Sequence, residues 1–176
     1  METVMASLGE TTKTTAQATR SPHVLASRLA ADAEPHLGAH LVTPRHGYAH
    51  HGIYVGRGMV VHYAGYCHRQ QRGPVEELSL AAFAAGHGIT VLSTPMARYS
   101  AAESVGRARS RLGEDCYRLL TNNCEHFCMW CLYGESRSEQ VRHCLMHPFS
   151  GLRLAASMLL CWCKTAPAPA WDGATA

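Results

Sequence analysis

From Tyr48 to Tyr63 the chain reads Tyr-Ala-His-His-Gly-Ile-Tyr-Val-Gly-Arg-Gly-Met-Val-Val-His-Tyr, two apolar runs joined by Gly56-Arg57-Gly58. Runs rich in β-branched and aromatic residues on either side of a Gly-x-Gly turn fold as a β-hairpin, which commits this part of the chain to antiparallel sheet. The hairpin also carries His50, His51 and His62. With a loop from Gly56 to Gly58, Val55 faces Met59, and His50 and His62 become diagonal neighbours on one face, within reach of a shared hydrogen-bond network. His51 then points the other way. A two-residue turn at Arg57-Gly58 shifts the register by one and exchanges His50 and His51. Alternation alone leaves these two open.

Downstream, Asn122-Asn123-Cys124-Glu125-His126-Phe127 places one cysteine where a helix should begin. Tyr117 to Leu120 reads as a short strand, and the spacing of Phe127, Trp130, Cys131 and Tyr133 predicts an amphipathic helix ended by Gly134. Thr121, Asn122 and Asn123 are its capping candidates. A thiol in a first helical turn lies beside unpaired backbone N–H groups and the positive end of the helix dipole, both of which favour the thiolate. The same N–H groups can hold an oxyanion. Two histidines upstream of such a thiol are the components of a nucleophile and its base. His126 reads as a structural polar contact on the helix.

The His-x-x-(apolar)-Tyr-Val-Gly block that starts at His50, its Val-Val-His continuation to His62, and the later Asn-Cys-Glu-His-Phe together resemble the lecithin:retinol acyltransferase-like family of thiol enzymes. The resemblance spans about residues 40 to 135. It implies Cys124 as nucleophile, His50 as its general base and His62 as the group that orients His50, with His51 at the family's variable aromatic position. Tyr48 matches a tyrosine that in some members helps the backbone hold the oxyanion, and Asn123 supports the site as the residue before the thiol. Arg57 stands where many members carry an acidic or amide residue, a departure that bears on surface charge. Because both histidines precede the cysteine, the resemblance implies a permuted papain-like fold, and chain order does not limit a site defined by geometry.

Around these motifs the chain divides readily. Residues 1–22, rich in Thr, Ser and Ala without an apolar run, read as a disordered tail rather than a signal peptide or membrane span. Residues 36–150 form the expected catalytic domain. Within it a turn is expected at Arg72-Gly73-Pro74, a short helix from Leu78 to Ala85 ended by Gly86, a strand from Ile89 to Leu92, and a longer helix after Ser100 that stops near Gly113. The expected class is α+β, an antiparallel sheet packed on one side by helices. Residues 151–163 are apolar but too short to span a bilayer, so they read as a packed or interfacial helix with Trp162 at its wet end. Residues 164–176 are a Pro/Ala-rich tail.

At 47% apolar and 16% charged residues the chain can bury a substantial core. A net charge of +3 is too small to argue for nucleic acid. Arg107 and Arg111, four apart on one helix face, offer a basic surface to anionic headgroups, and Arg109 and Arg118 lie close in sequence. Eight cysteines and twelve histidines invite a metal reading through Cys128-x-x-Cys131 with His143, Cys144 and His147. Structural zinc sites place Cys-x-x-Cys on a tight turn, whereas this pair falls inside a helix, so no metal or cofactor is expected. Without an export signal, reduced thiols and a cytoplasmic location, peripheral to a membrane, are expected instead of disulfides.

Three functions fit. The leading one is a thiol acyltransferase or phospholipase A-type hydrolase that takes an acyl group from a phospholipid ester through a Cys124 thioester and passes it to an amine, an alcohol or water. An amide or peptide hydrolase uses the same Cys-His chemistry. A silent membrane- or partner-binding module would keep the motif for packing alone. Phe83, Met96, Phe127 and Trp130 fit either an acyl groove or an ordinary core.

Overall fold

The computed structural model describes residues 26–66 and 72–147, together with positions 149, 152 and 156. The amino-terminal tail, most of the 151–163 segment and the Pro/Ala-rich end lie outside the described residues. In chain order the elements are β1 (Ala26–Arg28), β2 (His40–Arg45), β3 (Tyr48–Gly56), β4 (Met59–Gly65), β5 (Gly73–Ser79), α1 (Leu80–Ala84), β6 (Thr90–Leu92), α2 (Ala101–Ser110), α3 (Cys124–Tyr133) and α4 (Glu139–Met146). The strands form one six-stranded sheet in the order β1-β6-β2-β3-β4-β5, antiparallel throughout. The chain is therefore α+β.

The β3–β4 hairpin combines the two turns its sequence allows. Gly56 pairs with Met59 across Arg57 and Gly58, whose φ angles of 55° and 69° make the mirror-image turn that suits twisted strands. A bulge between Tyr54 and Gly56 then restores the other register, with Tyr54 opposite Val60 and Gly52 opposite His62. His50 and His62 are consequently diagonal neighbours on one face.

Helices cover both faces rather than one. On one side Ile53, Val55, Val61 and Tyr63 pack against Val105 and Ala108 of α2 and Phe127, Cys128, Cys131 and Leu132 of α3. On the other, Leu41, Tyr54 and Val60 pack against Phe83 of α1 and Ile89. The cause is visible in β3 and β4, where six consecutive residues of each are buried instead of every second one. Apolar residues of both parities demand a cover on both sides.

Local expectations hold where caps are strong. Ser79 accepts from the Ala82 N–H and starts α1, which ends at Ala85 in the left-handed region. Ser100 and Glu103 form a reciprocal capping box at the start of α2. Two readings change. Gly73 and Pro74 belong to β5, the outermost strand, where a proline without an N–H is tolerated. Tyr117 to Leu120 is no strand but enters a tight turn closed by Arg118 and Asn122, whose amides each donate to the other's carbonyl at 3.0 and 2.8 Å. Tyr117 is anchored instead by its ring, which lies over Gly65 where a Cβ would come within 2.4 Å of it.

Candidate active site

Cys124 is the first residue of α3 and is 3% exposed. Asn123 caps the helix: its Oδ1 accepts from the N–H groups of Glu125 and His126, both at 3.0 Å, and its Nδ2 donates to the Leu119 carbonyl at 2.9 Å. The His126 ring closes the cap with Nδ1 at 2.9 Å from the same Oδ1, the structural contact expected of it. The Phe127 N–H meets the Asn123 carbonyl at 3.0 Å. Three amides of the first turn are thus committed within the helix, and the dipole they sum to remains directed at the thiol.

The register divides the histidines. His50, Gly52, Tyr54, Val60 and His62 face Phe83; His51, Ile53, Val55, Val61 and Tyr63 face α3. His50 Nε2 lies 2.7 Å from His62 Nδ1, with the rings edge-on at 4.9 Å between centroids. Phe83 packs against both, at 5.4 and 5.9 Å. Gly52 makes this possible, since a Cβ there would fall 2.6 Å from Val60 Cγ1 and 2.8 Å from the Phe83 ring. Directly across from His62, Glu76 of β5 brings Oε1 to 3.3 Å from Nε2.

His51 is held differently. Its Nδ1 is 2.9 Å from His40 Nε2, and its Nε2 is 3.0 Å from Gln140 Nε2, an amide nitrogen that can only donate. Gln140 Nε2 shares its two N–H groups among His51 Nε2, the Ala49 carbonyl and Glu125, and where it donates to His51 the Nδ1 N–H is left to donate to His40. Burial pulls His51 down to about 4, and burial followed by the neighbouring His51 charge pulls His40 down to about 3. Both rings are neutral at physiological pH.

Cys124 belongs to the α3-side core and the His50–His62 pair to the Phe83 side, and the sheet between them is interrupted where β3 and β4 stop pairing. β3 and β4 pair only from Gly52 to Gly56 and from Met59 to His62. Beyond that point β3 continues beside β2 down to Tyr48, and β4 continues beside β5 to Gly65, so the two strands part. Gln140 of α4 grips the parted end of β3, accepting from the Ala49 N–H at 2.9 Å and donating to the Ala49 carbonyl at 3.1 Å. The carboxylate of Glu125, the residue after the thiol, accepts from the backbone N–H groups of Glu139 and Gln140 at 3.1 Å, from Gln140 Nε2 at 3.2 Å, and from the Ser138 hydroxyl. These bonds tie the first turn of α3 to α4, whose Gln140 holds the parted end of β3. Tyr48 stands there as the first residue of β3, on the His50 side.

The arginines of the expected basic surface make contacts within the fold. Arg107 lies 4.1 Å over the Tyr99 ring and 3.8 Å over Trp130 while donating to the Trp130 carbonyl. Arg111 pairs with Glu114, and Arg109 with Glu77. A surface cavity of about 390 Å³ bounded by Tyr99, Glu103, Gly106, Arg107 and Ser110 shares no residue with Cys124 or the histidine pair. Phe83 and Phe127 are core residues, whereas Met96 is 82% exposed. Cys128 and Cys131 are buried in α3, where burial raises both thiols, and among the described residues no three His, Cys, Asp or Glu side chains are placed to hold a metal.

Sequence reasoning missed Glu76, His40, Glu125 and Gln140. Each meets its partner through strand register or helix docking over a long stretch of chain, which no local spacing signals. The Ser138-Glu139 cap was the one legible hint of α4.

A model of the family described as Lecithin retinol acyltransferase matches residues 33–137. Human Phospholipase A and acyltransferase 2 is 35% identical over 143 residues, covering 71% of this chain and 88% of that protein.

Proposed function

Since the chain belongs to the lecithin retinol acyltransferase family, we propose that it is a thiol enzyme that removes an acyl group from a phospholipid ester and delivers it to an amine, an alcohol or water. The observation that supports this reading is a buried cysteine at the start of α3, in a chain whose His50 and His62 are hydrogen-bonded to each other where β3 and β4 separate.

In the proposed mechanism His50 Nδ1 takes the Cys124 proton and Sγ attacks the ester carbonyl. The Cys124 amide holds the oxyanion, with Tyr48 as a second donor and Asn123 fixing the turn. Collapse expels the lysophospholipid alkoxide, which receives the proton from His50, and leaves a thioester on Cys124. The acceptor then loses a proton to His50, attacks the thioester and regenerates the thiol. His62 keeps His50 oriented throughout. His51 stays outside the proton path because both its nitrogens are occupied.

A lipid donor is supported by the turn that leads into the thiol. Leu119 and Leu120 are 41% and 59% exposed there, and Asn123 binds the Leu119 carbonyl. Two leucines held outward on a hydrogen-bonded turn beside a nucleophile suit contact with a membrane surface. Among the described residues no helix is long and apolar enough to cross one.

The test is product analysis with a short-chain phosphatidylcholine, with and without a primary amine. The proposal predicts lysophospholipid plus free acid or N-acyl amide, and a loss of about four orders of magnitude in Cys124→Ser. Near-native turnover in that variant contradicts the nucleophile; cleavage of a peptide without lipid turnover favours the amidase.

A further inference from the structure

We propose that Glu76 is a positioning residue for this site, a carboxylate that acts through His62 and His50 to hold the proton on the relay and the negative charge on the thiol. The inference rests on the thiol–imidazole reading above and adds to it a residue from a third strand.

The chain of contacts is continuous. Glu76 Oε1 lies 3.3 Å from His62 Nε2, and His62 Nδ1 lies 2.7 Å from His50 Nε2. A neutral imidazole has one N–H and one lone pair, and the hydrogen bond made by one nitrogen decides which the other presents. A carboxylate beside Nε2 places the His62 proton there, so Nδ1 becomes the acceptor. His50 must then donate from Nε2, and its Nδ1 lone pair becomes the basic site. Without an anion at Nε2 both rings can flip tautomer, and His50 would present an N–H where the proposal needs a base.

The surroundings favour this assignment. His62 is fully buried, and Glu76 is its direct partner across β4 and β5, so the pairing register brings the two together. From α1 the neighbour is Phe83, which carries no charge, and from β3 it is His50 itself. Arg45 of β2, which reaches the Phe83 carbonyl at 2.6 Å, has its guanidinium spent there, on the Pro44 carbonyl at 2.9 Å and on Thr43 Oγ1 at 3.2 Å. Glu76 is thus the carboxylate that strand register sets beside His62. Its side chain is 42% exposed and its 3.3 Å contact is a charge beside the ring rather than an aligned hydrogen bond, so it biases the His62 tautomer through its charge, partly screened by solvent.

The experiment follows alkylation of Cys124 by iodoacetamide against pH, quantified on the Cys124 peptide, for the full chain and for Glu76→Gln and Glu76→Lys, each checked for an unchanged thermal midpoint. The wild-type thiol is expected to ionise below the ordinary value of about 8.5. Glu76→Gln is expected to raise that midpoint by about one unit and Glu76→Lys to raise it further, with kcat on a soluble ester falling about tenfold in Glu76→Gln at constant KM. A depressed wild-type midpoint with superimposable variant profiles overturns the role of Glu76 alone. An ordinary wild-type midpoint overturns the underlying site.

Discussion

His50 and His51 are adjacent in sequence, and the bulge in β3 decides their fates. His50 is bound to His62 on the Phe83 side, while His51 is locked between His40 and Gln140 on the α3 side. His50→Ala should therefore cost about three orders of magnitude in kcat. His51→Ala should leave kcat within about tenfold and lower stability, since it strands buried partners. Steady-state kinetics beside urea unfolding separates the two, and the reverse ranking would move the base to His51. A pH effect follows from the same residues. Folding keeps His40 and His51 well below the unfolded value of 6.5, so the unfolded chain takes up more protons as pH falls. The stability present above pH 6.5 should drop by a few kcal/mol by pH 5, and His40→Phe should flatten that limb in unfolding measured at several pH values. At this scale the helix start at Cys124 was legible from its caps, and the pairing of His50 with His62 was legible as one of two registers that the hairpin allowed. Glu76, His40 and Gln140 were hidden because their partners are fixed only by the folded register.

Among the elements, α3 matched its reading to the residue, with Cys124 first and Gly134 as a left-handed cap. Strong end signals explain this, a capping asparagine at one end and a glycine at the other. The Tyr117–Leu120 run failed for the opposite reason: among the described residues its one bridge is to Asn122 of its own turn, and Leu119 and Leu120 face outward. Helices on both faces were missed because β3 and β4 alternate types less than an exposed sheet would. Gly52 shows how tightly these layers meet. Gly52→Ala drives a methyl into Val60 and Phe83, which should cost about 1–3 kcal/mol and press Phe83 onto the histidine rings. Lower thermal midpoint together with reduced kcat is expected; an unchanged variant would show that Phe83 is free to retreat.

For the molecule as a whole, the proposed function requires the thiol, the histidines and the leucine turn to meet at one end of the sheet. β3 and β4 are a continuous hairpin at one end and separate at the other, and Gln140 of α4, bonded to Glu125 of α3, holds the separated end of β3. Cysteine after histidine in the chain is no obstacle to such a site, because the helix is brought in by packing and not by order. The central claim is a Cys124 thioester. Intact-mass spectrometry after mixing the protein with a short-chain phosphatidylcholine, beside Cys124→Ala, tests it most directly. The account predicts one added acyl mass that maps to Cys124 and is missing from the variant; an adduct that persists in Cys124→Ala, or lipid turnover by that variant, would contradict it.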